Sequence, residues 1–351
     1  MEEKIATEIT QSLRIELTPE IEESLSKRYT ADIRAYEAFM RGESLHHQRT
    51  TRAALEAIES YEQAISIDPE YARAYVGLSR THRQLGWWQS SKEHYEEARK
   101  AAQKAVEIDD QLAEGHQQLG RMVAMFDRDW LRAEREFSKA EELNPNLGTP
   151  YEFHLWMGNL EDAIGAVERE MARMDMTTAA SQGNRGWAFL FCREYERAIQ
   201  HARKSLDLQP QWGTSYHLLG QIYDRMGRHD EAVGALSRFL SLSFDLSAEE
   251  TADLQRAYEK EGIEVFWNQY LELLQPRWAR NYDISVIYGM MGEKDLAFAE
   301  LEKMCRLPLH HPFPPDPQVD PLRSDPRFQE LLRKLNLPEE AIQRHLALPG
   351  S

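Results

Sequence analysis

One phrase recurs along this chain at intervals that settle most of what it can fold into. Ala57, Tyr61, Ala64 and Pro69 are echoed by Ala98, Ala102, Ala105 and Asp110, and by Ala133, Phe137, Ala140 and Pro145. The pattern returns as Ala198, Ala202, Ser205 and Pro210, then as Ala232, Leu236, Phe239 and Phe244. The first three positions of each copy share one face of a helix, and the last ends it. A second helical stripe runs upstream, clearest in Tyr216, Leu219, Gly220, Tyr223 and Gly227, whose glycines allow close backbone approach and a sharp turn. Pro145 to Pro210 is 65 residues and Pro210 to Phe244 is 34, so each unit is a helix pair that must stack on its neighbours to bury its apolar face.

Composition removes several classes of function. The 351 residues carry 42 basic and 59 acidic side chains, and a net charge of -17 repels nucleic acid and anionic lipid over most of the surface. Two cysteines, Cys192 and Cys305, are too few for a disulfide framework or a four-thiolate zinc site and fit a reducing, cytoplasmic setting. The longest apolar stretch, Trp187 to Cys192, is too short to cross a bilayer, and no signal core follows Met1. Phosphate loops, dinucleotide fingerprints, nucleophile elbows and metalloprotease helices are missing from the sequence. His46-His47 and His310-His311 suggest metal binding, but adjacent side chains on a helix diverge by about 100 degrees and no Cys/His cluster completes a site. Cys192 reads as a packed thiol and Cys305 as partly exposed, so neither a cofactor nor a catalytic residue is expected.

The unit from Gly213 to Phe244 resembles the tetratricopeptide repeat (TPR) over its full length. That resemblance implies an all-α, right-handed α-α superhelix of about eight helix-turn-helix units, near 35-69, 72-110, 113-145, 148-176, 178-210, 213-244, 249-279 and 282-305. About seven extra residues between Gly86 and Ala98 are expected in an inter-helix turn. Residues 1-30 read as a helical segment, 306-323 as a proline-rich, extended linker, and 324-351 as a capping helix, with Ser324 as its N-cap, and a tail. Four stretches are similar to the carboxyl-terminal TPR regions of bacterial signalling proteins: Ile5 to Thr18, Ala35 to Gly42, Phe126 to Phe137 and Val319 to Phe328. In that family the array follows a TolB-like domain and is often joined to winged-helix, nucleotide cyclase or kinase domains. None of those outputs is recognised here, and the resemblance implies a separated sensor half.

In TPR solenoids the first helix of each unit lines the concave surface. Carried onto this sequence, its groove positions are Tyr36, Phe39, His46 and His47 in the first unit, Arg73, Arg80, Arg83 and Gln84 in the second, and Gln117 and Arg121 in the third. Trp187 follows in the fifth unit and His217, Gln221 and Arg225 in the sixth. Arginines converging on a groove pair bidentately with carboxylates, so the expected ligand is a partner protein or an acidic peptide, bound without catalysis. The competing reading is that these arginines form ion pairs within the array. Trp87 and Trp88, adjacent near a turn, offer a second contact surface or lie buried beneath that turn. A sensor for a small anion, an oligomerisation scaffold using the convex face, and an unrecognised hydrolase or transferase using the histidines are the alternatives.

Overall fold

The computed structural model describes residues 30–89, 91–173, 178–244, 246–276, 281–306 and 315–348; the expected N-terminal helix and His310-His311 lie outside them. Sixteen helices among these residues form eight hairpins: α1 (Ile33–His46) with α2 (Thr51–Ile67), α3 (Ala72–Gln89) with α4 (Lys92–Ile108), α5 (Ala113–Met122) with α6 (Trp130–Leu143), and α7 (Tyr151–Trp156) with α8 (Leu160–Arg173). The remaining pairs are α9 (Ala179–Phe191) with α10 (Tyr195–Leu208), α11 (Gly213–Arg225) with α12 (His229–Phe244), α13 (Ala248–Glu261) with α14 (Ile263–Leu274), and α15 (Asn281–Met290) with α16 (Lys294–Met304). Each helix packs chiefly on its hairpin partner and then on the next hairpin, as an all-α solenoid requires.

Local sequence sets where these helices begin and how closely they approach. Thr50, Ser91, Asp129 and Thr178 accept backbone N–H groups at the starts of α2, α4, α6 and α9, and Ser247 with Glu250 forms a capping box on α13. A Cβ at Gly220 would stand 2.5 Å from Leu236, and one at Gly42 would stand 2.6 Å from Tyr61. Both obstructing residues lie four positions beyond the small residue that opens the recurring phrase, so glycine and phrase are two halves of one contact. The extra residues near Trp87 do not lengthen a turn. They extend α3 unbroken to Gln89, because nothing in Leu85 to Gln89 stops a helix once Trp88 packs beside Ala54, Ile58 and Leu85. In the third unit α5 runs into a π-helical turn, Val123–Asp127, before α6.

The carboxyl-terminal segment departs most from expectation. Pro317–Leu322 is a 3-10 helix rather than extended linker, because proline fits the first turn of a helix and Asp316 caps the N–H of Gln318. Asp325, not Ser324, caps α17 (Pro326–Lys334), and a further helix, α18 (Glu339–Leu346), follows. These elements fold back onto the array. Val319, Leu322, Phe328, Leu331, Ala341 and Ile342 share one core with Trp130, Phe137, Phe153 and Trp156 of the third and fourth units, and with Tyr282, Val286 and Leu301 of the eighth. Polar contacts seal the closure. Arg128 Nη2 donates to the Cys305 carbonyl at 2.5 Å, Trp130 Nε1 to that of Leu335 at 3.2 Å, and Arg344 Nε to that of Met157 at 2.8 Å. The fully buried His345 ring meets the Trp156 carbonyl at 2.8 Å, and burial holds its pKa down at about 3, so the ring is neutral.

Candidate partner-binding groove

The turn between the two helices of a unit carries the informative backbone strain. Gly227 and Gly292 adopt φ of 71° and 78° there, the left-handed region that glycine enters freely. The same turn in the first, third and fifth units is occupied by Arg49, Arg128 and Arg193, at φ of 53°, 54° and 65°. An arginine in this region costs about 1 kcal/mol and persists where surrounding contacts hold it. For Arg128 those contacts are the carbonyls of Cys305 and Lys334. For Arg193 they are the two oxygens of Asp320, at 2.7 and 2.8 Å in a fork, with Arg225 Nη2 on the same carboxylate at 2.6 Å and Arg323 Nε at 2.5 Å. Asp320 has no exposed side-chain surface. The molecule's own acidic segment is thus held between the last inner helix, α15, where Leu322 lies 3.6 Å from the position a Cβ on Gly289 would take, and the turn ends of α9 and α11.

The expected groove residues divide into three groups. Phe39 belongs to the core, 4% exposed beside the rings of Tyr61 and Tyr71 with Arg73 over its face. Gln117 is also buried and donates to the carbonyls of Leu147 and Gly148, and His217 stacks on Phe239 at 4.4 Å while hydrogen-bonded to Gln221, so these too brace the array. Trp187 packs between His217 and Phe191. Buried positions on an inner helix arise where successive inner helices touch, as α1 does α3, α3 does α5 and α9 does α11. A second group is spoken for by ion pairs: Arg80 with Glu43 at 2.6 Å, Arg121 with Glu152 at 2.9 Å and Glu170 at 3.9 Å, and Arg225 with Asp320. Glu43 also accepts the Tyr61 hydroxyl at 2.6 Å, and its pKa is lowered by Arg80 and that bond against its burial.

The third group gathers around Arg83, Gln84 and Trp87 on α3. Arg83, half-buried on α3, has no hydrogen bond or ion pair among the described residues, and its Nε is buried unsatisfied. Burial first, and then the neighbouring Arg121, pull its pKa down to about 10. Gln84, 7% exposed, leaves both amide atoms unpaired, and the indole N–H of the half-buried Trp87 is likewise unpaired. Residues 80, 83, 84 and 87 occupy one face of α3. His46 bonds the Thr81 hydroxyl at 2.9 Å, and burial, reinforced by Arg80, His47, Arg49 and Arg83, lowers its pKa to about 2. Arg49 is exposed, and partial desolvation by the surrounding chain lowers the pKa of its guanidinium, with the charge of Tyr151 on α7 acting in the opposite sense. Tyr36 is half-buried and His47 exposed at the same end. The unpaired atoms here are chiefly donors, Arg83 Nε, Gln84 Nε2 and Trp87 Nε1, with Gln84 Oε1 and the Glu152 Oε2 that neighbours Arg83 as unpaired acceptors. No group of three metal-ligating side chains occurs among the described residues.

Both cysteines are buried, Cys305 included, and burial raises their pKa values to about 12 for Cys192 and about 11 for Cys305, which makes them unreactive thiols. Arg49, Arg193 and Asp320 escaped sequence reading. Aligning Arg193 with Gly227, 34 residues on, would have exposed an arginine in a glycine position.

A tetratricopeptide repeat family model matches residues 54–71 and 213–245. Small glutamine-rich tetratricopeptide repeat-containing protein 2 of Saccharomyces cerevisiae is 26% identical over 113 residues, which is 32% of this chain and 32% of that protein, so only about a third of the relative is spanned. Among solved structures, a monomeric IFIT1 mutant with Gppp-AAAA covers 97% of this chain and 75% of its own at 14% identity and a TM-score of 0.53, which shows the shared fold. YrrB, a TPR protein with an unusual peptide-binding site, covers 57% of this chain and 99% of its own at 16% identity and a TM-score of 0.34. Two segments of the chain are thus tetratricopeptide repeats within a helical repeat fold, and tetratricopeptide repeat proteins generally mediate protein–protein interaction. Among the described residues no helix is long and apolar enough to cross a membrane.

Proposed function

We propose that this protein is a non-catalytic interaction module whose partner, a protein or acidic peptide, docks in the concavity of the first four units, in a bacterial signalling or transcriptional setting. The observation that carries this reading is the contrast between the two halves of the array. Arg193 and Arg225 in the fifth and sixth units already hold a carboxylate of the chain itself, whereas Arg83, Gln84 and Trp87 present buried unpaired donors and Arg49 stands exposed without a partner among the described residues. Buried polar groups left unpaired are destabilising, and a partner that satisfies them relieves that cost on binding. The signalling context draws its support from the sequence resemblance of Ala35 to Gly42, Phe126 to Phe137 and Val319 to Phe328 to bacterial TPR sensor regions.

The test exploits the two unreactive cysteines. A His47→Cys variant labelled with a bulky maleimide blocks the mouth of the concavity, and a labelled Leu131→Cys variant marks the outer helix α6, where Leu131 is 67% exposed. A partner captured from bacterial lysate by the unlabelled protein should be lost only when His47→Cys carries the label. Loss only with Leu131→Cys, or retention by both, moves the binding surface elsewhere.

A further inference from the structure

The repeat makes the Asp320 site a template for a second one. Register along the array is set where an inner helix touches the small residue opening the recurring phrase. A Cβ on Gly186 would stand 3.2 Å from the Ala198 carbonyl, one on Gly220 would stand 3.4 Å from that of Ala232, and the Ser79 hydroxyl donates to that of Ala98 at 2.7 Å. Gly42 belongs to the same set, since it faces Tyr61 as Gly220 faces Leu236. Measured from these points, Arg193 lies seven residues after Gly186 and Arg225 five after Gly220; Arg49 lies seven after Gly42 and Gln84 five after Ser79, with Arg83 beside it. A left-handed turn arginine of one unit therefore recurs seven residues after the register point, and Arg49 and Arg83 both act on the His46 ring between them, although α3 runs on past Gln84 to Gln89 where α11 stops at Arg225. In the fifth and sixth units the arrangement is closed by a carboxylate. In the first and second no described residue hydrogen-bonds or ion-pairs with the side chain of Arg49 or Arg83, and the carboxylate whose charge acts on Arg83, that of Glu152, is paired with Arg121.

We propose that Arg49 and Arg83, with the Gln84 amide and the Trp87 indole N–H, form a carboxylate-binding site that is the counterpart in the first two units of the one holding Asp320. Three observations meet here. Arg49 keeps a strained backbone conformation that Arg128 and Arg193 offset through their ligands, yet it has no partner of its own among the described residues. Gln84 is more than nine-tenths buried with its amide unpaired, beside an arginine and an indole whose free polar atoms are donors only. The bound group is planar and anionic because the guanidinium fork of Arg193 receives such a group at the equivalent place. Nearby Arg80 and Arg121 pair with Glu43, Glu152 and Glu170, so with Arg49 and Arg83 the cluster holds four guanidinium groups against three carboxylates and keeps one positive charge to be met. A carboxylate offered by an acidic peptide and one offered by a free dicarboxylic acid satisfy the same donors.

This inference rests on the first four units being the partner surface, and its test separates the two. The full chain is titrated calorimetrically at low salt with N-acetylated hexaglutamate, with succinate and with inorganic phosphate. Arg83→Gln and Arg49→Gly are compared with wild type and with Arg135→Gln, which removes an exposed charge on α6. At least one carboxylate probe should bind wild type and Arg135→Gln alike and lose tenfold or more in affinity in both Arg83→Gln and Arg49→Gly. Binding of hexaglutamate alone identifies a peptide source, and binding of succinate as well a free acid. Failure of both carboxylate probes to bind, preferential binding of phosphate, or equal binding by the two site variants overturns the site. A lysate partner that His47→Cys labelling blocks but that ignores Arg83→Gln and Arg49→Gly overturns this site while leaving the partner surface in place.

Discussion

Replacing Asp320 by Ala should open the closure formed by the carboxyl-terminal segment. The carboxylate is fully buried and accepts four hydrogen bonds from three guanidinium groups: two from Arg193 and one each from Arg225 and Arg323. Removing one member of a buried ion pair costs about 3–5 kcal/mol, most of it the cost of the charge left behind. Arg193 and Arg225, 13% and 18% exposed, can turn toward water, so their share is modest. Arg323, 3% exposed, cannot; it is fixed by the carbonyls of Asp316 and His345 at 3.1 Å each and stays desolvated without its counter-ion. A loss of about 4 kcal/mol follows, which corresponds to roughly a thousandfold increase in opening. Native-state hydrogen exchange reads it directly: amides of 317–346 should exchange faster by about three decades, while those of α1 to α4 are unchanged, because a repeat array transmits stability only between neighbours. Arg225→Ala, which leaves Asp320 two partners, should cost only about 1–2 kcal/mol. Acceleration below tenfold in Asp320→Ala, or equal acceleration throughout the array, would refute the claim that this carboxylate holds the closure.

The turn arginines give a paired expectation: Arg49→Gly should raise stability by about 0.5–1 kcal/mol by removing left-handed strain, whereas Arg193→Gly should lower it because the Asp320 fork is lost, both measured by urea melts. Acid should weaken the closure through His345, whose pKa is about 3 folded against about 6.5 unfolded. As pH falls below 6.5 the unfolded chain takes up a proton that the folded one refuses, so this group withdraws about 2 kcal/mol by pH 5, and the stability gap between wild type and His345→Asn should narrow by that amount. Asp316 acts with the opposite sign: burial raises its pKa to about 6, so the folded state holds the extra proton, and this group's penalty grows as pH rises from about 4 to 6. Asp316→Asn should flatten that part of the pH profile and preserve the cap on Gln318. Gly220→Ala should cost about 1–3 kcal/mol in a thermal melt, since its Cβ would lie 2.5 Å from Leu236.

The helix pairs, their eight-fold repetition and the inward faces of their second helices follow from the spacing of small and apolar residues, because each hairpin is stabilised by contacts within about 34 residues. Ala57, Ala98, Ala133, Ala198 and Ala232 are legible for that reason, and all five are fully buried. Which arginines are free was not legible. Arg80 and Arg121 look the same as Arg83 on an inner helix, and only the placement of Glu43, Glu152 and Glu170 on neighbouring helices distinguishes paired from unpaired charge. The fate of the proline-rich segment was further still from local reach. Asp320 meets Arg193 and Arg225 across 127 and 95 residues of chain, and nothing in its immediate neighbours announces those contacts. Periodicity records interactions between residues one turn or one unit apart. Closure of the solenoid by its own carboxyl-terminal segment depends on how small inter-unit rotations accumulate over eight hairpins, and that sum exists only in the folded molecule.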